Sequence, residues 1–388
     1  MDPMEAAAPQ SVVMVAGEAS GDLHGAHVIR ALKKRHDDIS ICGAGGSAMR
    51  SAGARIIVDV QDLSVMGFSA IFSKIPAILK AASKIKRVLS QLKPDLLILI
   101  DFPDFNLHLA AYAKRIGIPV LYYISPQVWA WRSGRIHKIK ARVDHMAVIL
   151  PFEKRIYERH QIPVSFVGHP LMDSALPQSE QKKVIEIGQK DVTVSLLPGS
   201  REGEVRRLLP AILEAAEHLQ ANWPGMQFLL SCAPTIDREH LSRVVKGCPA
   251  LNLQVSADPV TALFEKSHLS IVASGTASLE AAIYGIPAII VYSTSRLNYA
   301  LAKRLINVSH IGLANLIAQH RVIPELIQGD ASATNIAATA HDLLTDPSKY
   351  GAMQEELREI RKRLGGGGAS ERVADIACRL MADRSKLR

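Results

Sequence analysis

The sequence predicts an α/β protein of two doubly wound, Rossmann-like domains facing a central cleft. Short, fully apolar runs alternate with helix-like segments, a pattern typical of parallel sheets covered on both faces. The alternation occurs twice, before and after a polar, helix-poor stretch at Leu176–Lys190. The 388 residues fit two to three domains, at roughly 150 residues each.

The first series comes before the polar stretch. Its apolar runs predict strands at Ser11–Ala16, Ser40–Gly43, Asp95–Asp101, Val120–Ile124 and His145–Leu150. Helical spacing predicts helices at Gly21–Lys34, Lys74–Leu92 and Leu107–Ile116. Pro76 suits a helix start, which leaves an apolar lead-in at Val65–Ser73.

The second series has the same character. Strands are predicted at Thr193–Leu197, Gln227–Ser231, Leu269–Ala273 and Ala288–Tyr292, with helices at Glu204–Ala221 and Ser278–Tyr284. Near the C-terminus, Lys349–Leu364 and Ala369–Ala382 are predicted helices joined by a flexible link, Gly365–Gly368. The predicted domains are therefore residues 1–175 and 186–345, with C-terminal helices in 346–388 that return to the first domain.

Composition and charge exclude several classes of protein. With 48% hydrophobic and 21% charged residues, the chain is neither collagenous nor wholly disordered. The longest apolar runs are too short to span a membrane. The N-terminus lacks the pattern of a secretory signal, and four scattered cysteines fit a reducing compartment, so a cytosolic protein is expected. Nearly all of the net charge of +9 falls in Met1–Pro170, which suits an anionic partner.

Two carboxylates follow the apolar strand that ends at Ile100. Asp104 stands at N-cap distance from a helix, whereas Asp101 does not, so Asp101 is favoured as a general base. After the first strand, Gly17–Gly25 brings small residues to the start of a helix, where backbone N–H groups can receive an anion or a sugar hydroxyl. Ser20 or Asp22 in that segment is equally well explained as a helix cap.

Aromatic and apolar residues predict a surface for sugars or lipid. Trp129 and Trp131 face the same side if that segment is extended, and they either line a site or pack in the core. Basic residues interrupt the apolar stretch from Val65 to Arg87, as in helices that lie in a headgroup layer, although a solvated basic face is the alternative. Its apolar members include Val65, Met66, Phe68 and Phe72.

Two loops of the second series predict a nucleotide site. Gly199, Ser200 and Arg201 lead from a strand into a helix, and the arginine is placed to neutralise a diphosphate. Ser274, Gly275, Thr276 and Ala277 repeat this arrangement. Glu280, in the first turn of the following helix, is suited to accept both hydroxyls of a ribose, or it serves only the helix dipole.

Seven segments together resemble the lipid-A-disaccharide synthase family over about residues 11 to 380. They begin at Gly17, Asp101, Ser125, Leu150, Val167, Leu197 and Ser274. The resemblance implies a GT-B glycosyltransferase of inverting mechanism, which joins UDP-2,3-diacylglucosamine to 2,3-diacylglucosamine 1-phosphate (lipid X) and releases UDP. It also implies work at the cytoplasmic face of the inner membrane of Gram-negative-type bacteria, with an anionic membrane surface as partner.

The same resemblance suggests roles for individual residues. Asp101 matches the general base, although Asp104 stays open, and Glu18 matches an acidic residue near the acceptor. Arg201 resembles a diphosphate ligand and Glu280 a ribose ligand. Asn315 and Glu325 match a pair facing the nucleotide-sugar, although this chain has Ala314 where the family commonly has proline. No cofactor is expected, since the UDP-sugar is a substrate, and no metal is expected, since Arg201 and helix N-termini can stabilise the charge on departing UDP. A homodimer is left open.

Two other functions compete with this interpretation. One is another GT-B enzyme that uses UDP-N-acetylglucosamine, either a lipid-acceptor transferase or a 2-epimerase. The other is a non-catalytic basic module that binds RNA or anionic lipid. The sequence has no RNA-binding signature, and no nucleic-acid partner is expected.

Overall fold

The computed structural model describes residues 10–63, 70–174, 192–305 and 308–386, and for residues 70–74, 240, 302 and 305 it describes the backbone alone. The chain divides into two compact units. The first comprises Met1–Ser174 together with Leu364–Arg388, and the second is Ala175–Arg363. The second unit is thus inserted into the chain of the first.

The first unit is a parallel sheet of seven strands covered by helices. The strands are β1 (Ser11–Ala16), β2 (Ser40–Gly45), β3 (Arg55–Asp59), β4 (Leu96–Ile100), β5 (Val120–Tyr123), β6 (His145–Val148) and β7 (Val164–Phe166), in the order β3-β2-β1-β4-β5-β6-β7. The helices are α1 (Ala19–Lys33), α2 (Ser47–Ser51), α3 (Val60–Leu63), α4 (Ala70–Leu92), α5 (Pro103–Arg115), α6 (Arg135–Arg142), α7 (Pro151–Arg159) and α8 (Leu171–Ser174).

The second unit repeats this design with six parallel strands. They are β8 (Thr193–Leu197), β9 (Gln227–Ser231), β10 (Leu253–Ser256), β11 (Leu269–Ala273), β12 (Ala288–Tyr292) and β13 (Glu325–Ile327), in the order β10-β9-β8-β11-β12-β13. The helices are α9 (Glu202–Asn222), α10 (Arg238–Lys246), α11 (Val260–Lys266), α12 (Thr276–Ile283), α13 (Arg296–Leu305), α14 (Leu313–Ala318), α15 (Ala333–Thr345) and α16 (Pro347–Arg363). A 3₁₀ turn occupies Gln328–Asp330, and α17 (Ala369–Ser385) belongs to the first unit.

Burial explains why the central strands were predictable. Leu96–Ile100 is buried at every position, and the next strands along the sheet are nearly so, which requires unbroken apolar runs. These residues pack under helices on both faces of the sheet in two apolar clusters. Layered α/β packing of this kind confirms the predicted fold class.

Two details of the helices differ from the sequence prediction. Helix α4 begins at Ala70, so Pro76 lies inside it and removes one helical N–H rather than starting the helix. Of the two C-terminal helices predicted to return to the first domain, only α17 does so, packing on α1. Helix α16 packs against α12, α14 and α15 in the second unit.

The glycine run before α17 is held in place rather than left as a free link. One oxygen of Asp173 accepts hydrogen bonds from the backbone N–H groups of Gly368 (2.8 Å) and Ala369 (2.9 Å), and the other accepts from Ser370. Arg372 donates to the carbonyls of Gly366 and Gly367. A carboxylate at a helix N-terminus satisfies donors that otherwise lack partners. The chain therefore returns to the first unit through a braced turn.

Candidate active site

The carboxyl edge of the first sheet carries two acidic side chains on neighbouring strands. The strand order reverses between β1 and β4, whose residues Ala16 and Ile100 are paired. Glu18 follows β1 and Asp101 follows β4. In open α/β sheets, the crevice at such a reversal is the usual place for a ligand.

Asp101 sits in a strained turn that its surroundings hold in place. Asp101 and Phe102 both have positive φ angles, 46° and 47°, which side-chain-bearing residues seldom adopt. The Asp101 carbonyl accepts hydrogen bonds from Asn106 Nδ2 (2.7 Å) and from the Tyr122 hydroxyl (2.6 Å). The Phe102 ring lies against Gly17, where a Cβ atom would come within 2.3 Å of the ring. The turn thereby fixes the position of the Asp101 carboxylate.

Burial, and then the negative charge of Glu18, raise the pKa of Asp101 from 3.8 to about 6. Both effects disfavour the charged form. A carboxylate with a pKa near the working pH is a better general base than an ordinary aspartate. Asp104 differs, because its side chain is 75% exposed and forms ion pairs with Arg132 (3.3 Å) and Arg135 (2.6 Å).

The other predicted residues of the first strand's loop fall into two groups. Glu18 and Ser20 are exposed and free to meet a ligand. Asp22 is buried, and its carboxylate accepts hydrogen bonds from the backbone N–H groups of Gly46 (2.6 Å), Ala48 (2.9 Å) and Met49 (3.1 Å). Asp22 therefore caps helix α2 rather than facing an acceptor, and it does not cap its own helix α1, which is the alternative that the sequence suggested.

The two tryptophans do not face the same side. A tight turn, in which Trp131 N donates to the Gln127 carbonyl, replaces the extended segment. Trp131 is exposed under the guanidinium groups of Arg132 and Arg135, at 4.6 and 5.1 Å from the ring centroid. Trp129 is turned toward the protein and donates from Nε1 to Glu153 Oε1 at 3.2 Å.

Glu153 is a buried carboxylate to which the sequence analysis gave no role. Its Oε2 accepts a hydrogen bond from Leu150 N (3.1 Å), so it caps α7 and holds Trp129 at the same time. Burial raises the pKa of Glu153 to about 7, against the opposing effect of these hydrogen bonds. The sequence held little signal for this arrangement, because leucine is not a usual N-cap residue and Trp129 lies 24 residues away.

The second unit has a cavity of about 220 Å³ at the corresponding reversal of strand order, between β8 and β11. It is lined by Leu197, Gly199, Ser200, Glu204, Ser231, Ala233, Val260, Ala273, Ser274, Gly275, Thr276, Ala277 and Glu280. Both predicted loops and Glu280 thus meet in one cavity. The N-termini of α9 and α12 open on this edge and suit an anionic ligand.

Arg201 lies beside this cavity with its side chain 82% exposed. Its Nη1 donates to Glu204 Oε1 at 2.9 Å, and Glu204 itself lines the cavity. Gly199 has a φ of 118°, and a Cβ there would meet Glu204, so the tight turn requires glycine. Burial raises the pKa of Glu280. Glu204 is a lining residue that sequence analysis did not single out.

Asn315 and Glu325 form a network that holds the backbone. Asn315 is fully buried, donates to the Ile323 carbonyl and to Glu325, and accepts from Val322 N and Ile323 N, so its amide has no bonding capacity left. Glu325 also accepts from Ile311 N (3.1 Å) and Gly312 N (2.9 Å). The pair shapes the chain after α13 instead of presenting Asn315 to a nucleotide.

Most of the predicted lipid-contact residues of the first unit lie outside the described part of the chain. Val65, Met66 and Phe68 lie outside the described residues, as does the side chain of Phe72. Farther along α4, Ile75 (42%) and Leu79 (62%) are exposed.

Among the described helices, none combines the length and apolar character needed to cross a bilayer. Within the same part of the chain, no group of three His, Cys, Asp or Glu side chains is arranged to hold a metal ion.

Comparison with known proteins shows the family of this chain. The lipid-A-disaccharide synthetase family matches residues 12–377. The chain belongs to this family. Among its relatives, the lipid-A-disaccharide synthase of Trichlorobacter lovleyi is 45% identical over 371 residues, which cover 95% of this chain and 97% of the relative. As a member of the lipid-A-disaccharide synthetase family, the protein is a glycosyltransferase of lipid A disaccharide synthesis.

Solved structures support the fold of this family member. UDP-GlcNAc 2-epimerase from Neisseria meningitidis, bound to UDP-GlcNAc, has a TM-score of 0.62 and 16% identity, covering 95% of this chain and 100% of that chain. The glycotransferase of kitacinnamycin has a TM-score of 0.63 and 16% identity, covering 96% and 99%. These likenesses confirm the GT-B fold alone. The 2-epimerase alternative is not favoured, because the family match and the 45% identity both concern lipid-A-disaccharide synthases.

Proposed function

We propose that this protein transfers 2,3-diacylglucosamine from its UDP ester to the 6-hydroxyl of lipid X, with inversion at the anomeric carbon. The hydroxyl oxygen bonds to the anomeric carbon while the bond from that carbon to the diphosphate breaks. UDP leaves with the electron pair, and the hydroxyl proton passes to a carboxylate. The observation that carries the proposal is the half-buried Asp101, which has a raised pKa at the carboxyl edge of β4.

Asp101 suits the role of general base better than Asp104 does. A base needs a carboxylate that is available to the substrate and has a pKa near the working pH. Burial and Glu18 raise the pKa of Asp101 to about 6, whereas two arginines already engage Asp104. Glu18 then acts on the reaction through the pKa of Asp101, besides standing near the acceptor.

The second unit would hold the UDP group. Helix N-termini and an exposed arginine stabilise the charge that develops on a departing diphosphate. Arg201, Gly199, Ser200 and the Ser274–Ala277 loop supply these groups, and Glu280 is suited to the ribose hydroxyls. Asn315 and Glu325 would position the backbone of this unit. With positive groups provided by the chain itself, the reaction needs no metal and no cofactor.

The lipid substrates call for contact with an anionic membrane surface. Exposed Ile75 and Leu79 share helix α4 with exposed Lys80, Lys84 and Arg87, a composition that suits a helix lying in a headgroup layer. The protein would then act at the cytoplasmic face of the inner membrane. A homodimer remains a prediction that the mass of the protein in solution tests.

The deciding experiment incubates the purified protein with both diacylated substrates and measures UDP and disaccharide. We expect UDP release only when both are present, and activity that survives EDTA. Release or epimerisation with unacylated UDP-N-acetylglucosamine alone would contradict the proposal.

Asp101→Ala should lose turnover and keep UDP binding, whereas Arg201→Ala should weaken UDP binding. Arg206→Ala, which removes another exposed arginine from α9, is the matched control.

A further inference from the structure

Helix α13 presents large apolar side chains to solvent. Leu297 is 71% exposed and Leu301 is 49% exposed. They are four residues apart, so they lie side by side on one face of the helix. Single exposed leucines are ordinary on protein surfaces, but a neighbouring pair on one outward face marks an apolar patch.

The charged residues of helix α13 are all cationic. Arg296, Lys303 and Arg304 are exposed on the same helix. The sequence contains no acidic residue between Glu280 and Glu325. Among the described residues, no salt bridge engages these three cations. Within the described part of the chain, these cations therefore have no acidic partner.

The order of residues along α13 sets leucines among cations. At about 100° per residue, Arg304 falls next to Leu297 on the side away from Leu301, and Arg296 and Lys303 lie together farther round on that same side. Arginine and lysine can keep their charged ends in water while their stems lie along apolar surface. An outward face of leucines bordered by arginine and lysine is the composition of a helix that lies in a lipid headgroup layer.

The start of α13 is fixed to the sheet near the nucleotide cavity. Gln328 accepts a hydrogen bond from Thr294 N (2.7 Å) and donates to the Thr294 carbonyl (3.1 Å). The helix follows β12, and Ser274 N donates to Val291 in that strand. Helix α13 therefore begins on the same sheet edge as the Ser274–Ala277 loop.

We propose that α13 is a membrane-contact element of the second unit, which binds an anionic bilayer surface through Leu297 and Leu301 and their neighbouring cations. This surface differs from the predicted one on α4, which belongs to the first unit. Charge favours a bilayer over a neutral protein partner, and outward-facing leucines lack the enclosing walls of an acyl-chain pocket. If the proposed function also holds, α13 keeps the nucleotide cavity near the membrane where a diacylated donor resides.

The test measures binding of the full chain, without substrates, to vesicles of phosphatidylglycerol and phosphatidylcholine and to phosphatidylcholine alone. We expect Leu297→Ser/Leu301→Ser and Lys303→Gln/Arg304→Gln each to weaken binding to the anionic vesicles by about tenfold. The control, Arg243→Gln/Lys246→Gln, removes two exposed cations from α10 and should leave binding unchanged.

Two results would overturn the inference. One is unchanged vesicle binding in both α13 variants. The other is a lower molecular mass of the leucine variant in solution, which would make the patch a contact between copies of the chain. The charge variant keeps the test decisive if the leucine variant fails to fold. UDP affinity, measured on the same samples, reports on the proposed function separately, since none of these residues lines the nucleotide cavity.

Discussion

Glu18 and Asp101 follow adjacent parallel strands, and the charge of Glu18 raises the pKa of Asp101. Burial is the larger cause of the raised pKa, so the two carboxylates are unequal partners. Glu18 is exposed, whereas Asp101 is held in a strained turn. The exposed Glu18 can therefore adjust the pKa of the more buried Asp101.

The first prediction concerns the pH dependence of turnover. In the wild type, kcat/KM should rise with pH through about 6 as Asp101 loses its proton. Glu18→Gln removes a negative charge and should move this rise to lower pH. Glu18→Asp keeps the charge and should leave it in place. A profile that stays fixed in Glu18→Gln would show that the two groups are not coupled.

The second prediction concerns stability. Because folding raises the pKa of Asp101, its protonated form stabilises the native state most below its unfolded pKa of 3.8, and this contribution is lost as pH rises through about 6. At neutral pH, Asp101→Asn should therefore be more stable than the wild type, by about 1–2 kcal/mol, while losing turnover. Thermal unfolding should show the gain shrinking towards acid pH.

Asp104→Asn is the matched variant for that measurement. It removes an exposed carboxylate and its two ion pairs, so it should bring no gain in stability at neutral pH. It should also keep turnover. Loss of turnover in Asp104→Asn with activity retained in Asp101→Asn would reverse the assignment of the base.

The third prediction concerns Glu153 and Trp129. Burial raises the pKa of Glu153 to about 7, and its carboxylate accepts from the Trp129 ring nitrogen. In a chain carrying Trp131→Phe and Trp223→Phe, the fluorescence of Trp129 should titrate near this pH. Adding Glu153→Gln should abolish the transition. An identical titration in both proteins would mean that another group is responsible.

The fourth prediction concerns Asp173, which receives the N-terminus of α17. Asp173→Ala leaves three backbone N–H groups without their acceptor and should destabilise the docked helix by about 1–3 kcal/mol. Amide hydrogen exchange in α17 should accelerate accordingly. Asp383→Ala removes an exposed carboxylate from the same helix and should change exchange little. Equal rates in both variants would refute the bracing role.

The sequence predicted the interior strands of both sheets and missed the strands at their edges. The missed strands are β3, β7, β10 and β13, and each stands at one end of its sheet. Edge strands are covered on fewer sides, and β7, for example, has no fully buried residue. Without continuous burial there is no continuous apolar run, so periodicity carries no signal for them.

Within the candidate site, residues that follow an apolar strand could be placed from the sequence, whereas residues held by long-range contacts could not. The positions of Asp101, Arg201 and the Ser274–Ala277 loop at the carboxyl ends of strands were predictable, because each follows an apolar strand. The bracing residues were not, since their partners are remote in sequence. Trp129 and Glu153 are 24 residues apart, and Asp173 and Gly368 are 195 apart. The local pattern of polar and apolar residues cannot show which residues so far apart in sequence will come into contact.

Asp173 holds the turn through which the chain re-enters the first unit, close to the point where the chain leaves it. His169 N donates to the Leu364 carbonyl at 3.1 Å, so the points where the chain leaves and re-enters the first unit are neighbours. A short peptide joining Ser174 to Leu364 would therefore close the gap without stretching the backbone. The first unit would become a free-standing domain whose acidic edge and folding can be studied without the second unit.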